Sequence, residues 1–352
     1  MRVLITIKDV AARAGVSVAT VSAVINDSRP VSDRLRQRVL SAIEELQYRP
    51  NNVARALSTK KSYVIGGLVP SIANPFFPQI IKSVEETAFG HSYSVVICNT
   101  DGNTEKVYRY QQMLLEHRVA GVFLTLTWDL ARQEVIQPFQ EAKIPVVGLA
   151  GARTVEGIDN IMPDDEWGSR ELTTILLRLG HRRIAFIGVE LSETTRLRLQ
   201  GFQAAHADAG VAVQGELIRL GSRFDEDEGY ALTKRLLAER LAFTALVAYN
   251  DVMAQGALTA LAESGLRVPE DVSVAGYDDT VARFTRPKLS TVAIPKERMG
   301  RLAASMLIER INGYTGKPRN ILLRPEPVIR ESVGPPRWQS KVTSYRRNQM
   351  PP

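Results

Sequence analysis

Residues 6–27, TIKDVAARAGVSVATVSAVIND, decide how the N-terminal part of this chain folds. Thr6 is a capping residue type, and Ile7, Val10, Ala11 and Ala14 follow it at helical spacing, which predicts a short amphipathic helix over residues 7–14. Gly15 stops that helix. Ser17 can cap a second one, because its hydroxyl can accept from the exposed amides of a first turn, and Val18, Val21, Val24 and Ile25 continue at near-helical spacing. Two short helices therefore meet at Gly15 and Val16. In that helix-turn-helix layout the second helix enters the major groove of DNA with its first residues facing base edges. A third helix starts near Ser32, carries Leu35, Val39, Ile43 and Leu46 on its apolar stripe, and ends at Tyr48-Arg49-Pro50, where proline disfavours helix in the residue before it.

Charge is distributed to match. The 352-residue chain has a formal net charge of +7, and residues 1–61 hold eleven Lys and Arg against five Asp and Glu. The rest is nearly neutral, although the segment beyond Pro336 carries Arg337, Lys341, Arg346 and Arg347. A basic head on a neutral body points to a polyanion partner for the head, the alternative being a merely solvated basic face. Length and an apolar content of 44% accommodate two or three domains. No apolar run approaches the ~20 residues that span a bilayer, and the first residues turn polar too early for a signal peptide. A cytoplasmic protein without a membrane partner is expected. The single cysteine, Cys98, excludes a disulfide framework and reads as a buried structural thiol.

Together with residues 31–57, VSDRLRQRVLSAIEELQYRPNNVARAL, the opening stretch resembles the N-terminal signature of the lac repressor (LacI/GalR) family almost position for position. The resemblance implies that Val18 and Ala19 occupy the family's variable base-reading pair, with Thr20, Ser22, Asn26 and Ser32 as small polar groups on phosphates. Thr6 and Ser17 at the helix starts, and Asn51 and Ala54 further on, complete the candidate DNA-contacting set with Ala23. The family usually has arginine where this chain has Ala23, so a guanine contact worth ~1–3 kcal/mol of discrimination is missing. Ala23 either packs against a thymine methyl or is silent. Residues 50–57, PNNVARAL, are too short for a stable isolated helix. The resemblance makes them a hinge that becomes helical on DNA, with Leu57 as a wedge in the central minor-groove step and Arg55 as a minor-groove contact.

From Ser62 short apolar runs alternate with helical stretches. Strands are predicted over 64–69, 94–98, 121–126 and 145–149, with helices over about 77–90 and 106–116 and a further one before Pro145. After Asp164 the rhythm repeats: helices over 166–179, 196–209, 227–237 and 252–263, and strands over 184–188, 217–220, 245–249 and 272–275. The alternation implies two α/β lobes in tandem, each a parallel sheet with helices on both faces, and ligands of such sheets bind outside the carboxyl ends of the strands. The segments NPFF, LGHRRIAFIG, AYND and VSVAGYDD resemble the family's periplasmic-binding-protein-like regulatory domain, so the resemblance spans about residues 6–333. It implies an effector site made by Phe76 and Phe77 from the first lobe, Phe224 as a stacking aromatic, and Arg198, Asn250 and Asp278 as polar contacts. Phe76 and Phe77 also read as ordinary core, Arg198 as a solvated charge, and Asp278 as a turn residue. Ala150 stands where some sugar-binding members carry a carboxylate.

The expected fold class is therefore α/β, with an N-terminal all-α helix-turn-helix head and a two-lobed sensor. The expected divisions are a head over 1–50, a hinge over 51–61, a ligand-binding and dimerisation body over 62–333, and a disordered basic tail over 334–352. An enzyme of the same fold is the competing class, but no Walker loop, GxSxG elbow or HExxH pair occurs, and His91, His117, His181 and His206 lack ligand spacing. The acidic run 225–228 reads as a helix start rather than a metal site. Neither a cofactor nor a metal is expected. What the resemblance implies is a transcriptional repressor acting as a homodimer on a roughly palindromic operator, with its DNA affinity set by a sugar or related metabolite in the interlobe cleft. The sign of that coupling stays open.

Overall fold

Asp9 secures the first turn of α1 (Ile7–Ala14): its carboxylate accepts from the Thr6 backbone N–H and from the Thr6 hydroxyl, both at 2.7 Å. Those hydrogen bonds hold the Asp9 carboxyl below its ordinary value. Gly15 ends the helix at φ 60°, the left-handed conformation that suits a residue without Cβ. The Ser17 hydroxyl accepts from the Thr20 N–H at 3.1 Å and so opens α2 (Val18–Asn26). Helix α3 (Asp33–Glu45) lies across both, and Val10, Ala11, Ala14, Val21, Val24, Val39 and Ala42 form the shared core. The structure is a computed structural model that describes residues 5–26, 29–48, 62–127 and 130–336, Asn26 by its backbone only. Residues 1–62 and 63–352 form separate units.

In the second unit the alternation of apolar runs and helices builds two parallel sheets. The first uses β1 (Val64–Val69), β2 (Ser94–Asn99), β3 (Gly121–Thr125), β4 (Val146–Leu149) and β5 (Asp159–Pro163), connected by α4 (Phe76–Gly90), α5 (Thr104–Glu116) and α6 (Gln133–Glu141). Helix α7 (Asp165–Arg178) leads to the second sheet, made of β6 (Ile184–Val189), β7 (Ile218–Gly221), β8 (Ala245–Ala248) and β9 (Ser273–Ala275). Its helices are α8 (Glu193–Asp208), α9 (Glu226–Ala238) and α10 (Asp251–Glu263). The order in this sheet is β7-β6-β8-β9, all parallel. Near-continuous burial along β3, β4, β6 and β8 follows from their having helices on both faces.

The expectation of lobes in strict tandem is corrected by the chain beyond Ala275. There β10 (Thr291–Ala293) precedes α11 (Lys296–Ile311), which packs on α4, and β11 (Asn320–Leu323) joins the first sheet beside β5. The full order is β11-β5-β4-β3-β1-β2, while β12 (Glu326–Val328) pairs antiparallel with β10. The chain thus crosses between the sheets three times. Pairing of β11 with β5 is fixed by Asn160, whose amide donates to Asn320 Oδ1 at 2.8 Å, and by Asp159, which accepts from Arg310 and Arg319. Burial works against the charge on Asp159, but the two arginines outweigh it and bring its carboxyl down to about 2. A second correction concerns the tail. Gly334 accepts from His181 Nε2 at 2.9 Å and donates to Ser273 Oγ at 3.1 Å, so the ordered body runs beyond residue 333. Residues 337–352 lie outside the described residues.

Close helix contact sets the second lobe. A Cβ on Gly201 of α8 would stand 2.0 Å from the Glu166 carbonyl of α7, so glycine is what lets these helices touch by their backbones. Gly201→Ala is therefore expected to destabilise the body by ~1–3 kcal/mol in urea unfolding, despite alanine's better helix propensity. Gly215→Ala, where a Cβ meets nothing within 4 Å, should stay within ~0.5 kcal/mol of the unmodified chain. A Gly201→Ala chain of unchanged stability would contradict the backbone contact.

Candidate functional site

At the start of α2, Ser17, Val18 and Ala19 are exposed, Thr20 and Ser22 are half-buried, and the first turn contains no acidic residue. Free amide groups and the helix dipole favour a phosphate there, while Val18 and Ala19 offer short apolar tips. Thr6 and Ser32 are exposed at the starts of α1 and α3. Ala23 is 2% exposed although it is not part of the three-helix core, so it presents nothing to a thymine methyl in this conformation. The Asn26 side chain and all of Asn51, Ala54, Arg55 and Leu57 lie outside the described residues.

In the body, the carboxyl ends of the second sheet converge on Arg198. Its helix, α8, follows β6; Tyr249 and Asn250 follow β8, and Tyr277 and Asp278 follow β9. Arg198 is 4% exposed, which rules out the solvated-charge reading. Its Nε donates to Asp165 Oδ1 at 2.8 Å, Nη1 to the Tyr249 carbonyl, and Nη2 to Asp278 Oδ1 at 3.2 Å. The guanidinium also lies 3.6 Å from the Tyr277 ring centroid and 4.7 Å from that of Tyr249. Burial alone would lower its pKa, but the carboxylates of Asp165 and Asp278 outweigh burial and raise it.

Asn250 caps α10, its side-chain oxygen accepting from Met253 N–H at 2.8 Å and its amide donating to the Phe224 carbonyl at 3.3 Å. Phe224 is 42% exposed and its ring lies 5.5 Å from that of Tyr249, so an aromatic face is open beside the charged cluster. Asp278 and Asp279 have φ of +99° and +49°, a region costly for residues with a Cβ. Their turn is held by Lys296 at the start of α11, which donates to the carbonyls of both, and by Arg330 on Asp279 Oδ1 at 2.7 Å. The turn reading of Asp278 is thus realised, and its carboxylate is turned to Arg198. Phe76 is 8% exposed and belongs to the apolar core, with Phe77 half-buried against it at a ring distance of 5.2 Å.

Arg198, Asn250, Phe224 and Asp278 come together as expected from the sequence. Asp165, Tyr249, Tyr277 and Lys296 were not legible as part of this cluster. Asp165 reads as the second acid of a helix start, and only the approach of α7 to α8 at Gly201 brings it to Arg198. The acidic run at 225–228 opens α9, where the Asp225 carboxylate accepts from Glu228 N–H at 2.9 Å. No group of three or more potential metal ligands occurs among the described residues.

Comparison with known proteins adds three kinds of finding. Residues 6–51 match the sequence profile of bacterial regulatory proteins of the lacI family, and residues 173–333 that of the periplasmic binding protein-like domain. The chain is 38% identical over 330 residues to the HTH-type transcriptional repressor PurR of Pasteurella multocida, covering 93% of this chain and 98% of that one. Among solved structures, a lac repressor dimer bound to operator and the anti-inducer ONPF is 32% identical with a TM-score of 0.84, covering 94% of this chain and 99% of that one. A complex of the regulator CelR with cellobiose is also 32% identical, with a TM-score of 0.71 and coverage of 94% and 100%.

The buried cluster makes a measurable demand on stability. Arg198→Met should cost ~3–5 kcal/mol in urea unfolding, because it strands two buried carboxylates. Adding Asp165→Asn to that variant should recover part of the loss, and independent, additive effects would contradict direct pairing.

Proposed function

The chain belongs to the lacI family of bacterial regulatory proteins, and we propose that Val18 and Ala19 read its operator while Arg198, Asn250, Asp278 and Phe224 bind its effector. It is a DNA-binding transcriptional repressor regulated by a small molecule, and not an enzyme. We assign the head to residues 1–50, the hinge to 51–61 and the sensor and dimerisation body to the residues from 62 onward. In this reading Thr6, Ser17, Thr20, Ser22, Asn26 and Ser32 position the head on phosphates, and Asn51, Ala54, Arg55 and Leu57 engage the minor groove. We place its work in the cytoplasm because a repressor acts where its operator DNA is. No helix among the described residues is long and apolar enough to cross a membrane.

The observation that carries the sensor half of this reading is the convergence of Arg198, Asp278 and the open face of Phe224 at the carboxyl ends of one sheet. An aromatic face with a carboxylate and a guanidinium suits a ring bearing hydroxyls, so the effector is a sugar or related metabolite. Cellobiose and ribose are bound in two structurally similar regulators. Effector affinity that differs between lobe arrangements shifts operator affinity by at most that difference, in either direction. Phe77, half-buried on α4, is the residue we assign to the first-lobe side of the site.

Selection of bound sequences from a random DNA pool, at stated salt, tests the operator half. The expected result is a palindrome whose half-site preference changes when Val18 or Ala19 is replaced. Enrichment indifferent to both residues would overturn their role. For the sensor half, Phe224→Ala, which removes an exposed ring, should weaken the effector's influence on operator binding at least tenfold while leaving effector-free binding within about threefold; an unchanged response would remove Phe224 from the site.

A further inference from the structure

Charge at the effector site closes on itself. Arg198 has Asp165 on Nε, the Tyr249 carbonyl on Nη1 and Asp278 on Nη2, with aromatic rings over the guanidinium. Lys296 is spent on the carbonyls of Asp278, Asp279 and Ile294. Arg330 and Arg283 both lie on Asp279. Next to Asp278 stands a further buried carboxyl, Asp251, which accepts from the Thr280 N–H at 2.6 Å and the Thr291 hydroxyl at 2.5 Å. Among the described residues of the site, every cation is matched by protein acceptors.

The two carboxylates on Arg198 differ in how they are held. Asp278 sits in a left-handed turn, and its second oxygen accepts no hydrogen bond from the described residues. Asp165 is 2% exposed and stands in the first turn of α7, immediately after the crossover from the first sheet and where α7 touches α8 backbone to backbone at Gly201. A phosphate or carboxylate on a ligand would have to displace a carbonyl or Asp278 and then stand beside the fixed charge of Asp165 in a buried setting, where like charges repel strongly. A hydroxyl or amide ligand can exchange one hydrogen bond for another at Asp278 without adding charge.

We propose that Asp165 is the specificity-determining residue of the effector site: its fixed carboxylate neutralises Arg198 and confines the site to uncharged ligands, excluding phosphorylated and carboxylated ones. The proposal rests on the reading that the effector binds at Arg198. It predicts that removing the Asp165 charge, and not its shape, unmasks an anion site.

Isothermal titration of the full chain with inorganic phosphate at constant ionic strength is the test. Asp165→Asn should gain a saturable site at least tenfold tighter than any phosphate binding of the unmodified chain, and the gain should vanish when Arg198→Met is added. A folded Asp165→Asn chain with no gain would overturn the proposal. A second readout needs no variant: in crystals of the unmodified chain grown from sulfate, no sulfate should lie on Arg198, and a sulfate seated there would overturn it as well. Failure of the effector reading is separate, since it would appear as an effector response that survives Phe224→Ala whatever phosphate does.

Discussion

A guanidinium removed from water costs several kcal/mol unless other groups replace that solvation, and Arg198 is held in this state by Asp165, Asp278 and the Tyr249 carbonyl. The requirement reaches outward through the body. Asp165 begins the helix that follows the first crossover between the sheets, and the turn of Asp278 is gripped by Lys296 just after the second. Arg198 is therefore tied by direct and one-step contacts to the segments that join the sheets. That is what a sensor needs if ligand binding is to favour one lobe arrangement over another.

The head depends on different physics. Its three helices are too short to persist alone, so Val10, Val21 and Val39 must bury together for any of them to form. Local hydrogen bonds set the helix ends, with Asp9 on Thr6 and Ser17 on Thr20, and leave the start of α2 exposed. Recognition and sensing are thus built by separate cores within one chain.

Much of this was legible in the sequence because the signals are local. The three head helices fall where Thr6, Gly15, Ser17 and the apolar stripes put them, and β1 matches its apolar run to the residue. Strands β5, β10, β11 and β12 were missed for physical reasons. They are three to five residues long, β5 opens on Asp159-Asn160, and β12 contains Pro327, which argues against a strand interior. Pairing of β11 with β5 joins residues 160 apart, which no local pattern encodes. The site follows the same division. Arg198, Asn250 and Asp278 lie in motifs, whereas Asp165 and Lys296 join them only through helix contact at Gly201 and a left-handed turn. The burial of Ala23 and Phe76 was not legible, because burial depends on what packs around a side chain.

The central claim is that the effector binds at the carboxyl ends of the second sheet, on Arg198 and Asp278 and against Phe224. A crystal structure of the full chain with the sugar or related metabolite that alters its operator affinity tests this most directly. The account predicts the ligand ring against Phe224, with a hydroxyl or amide on the free oxygen of Asp278. A ligand seated elsewhere, for example in the open groove between Leu258, Ala262 and Phe284, with Arg198 still closed on Asp165 and Asp278, would contradict it.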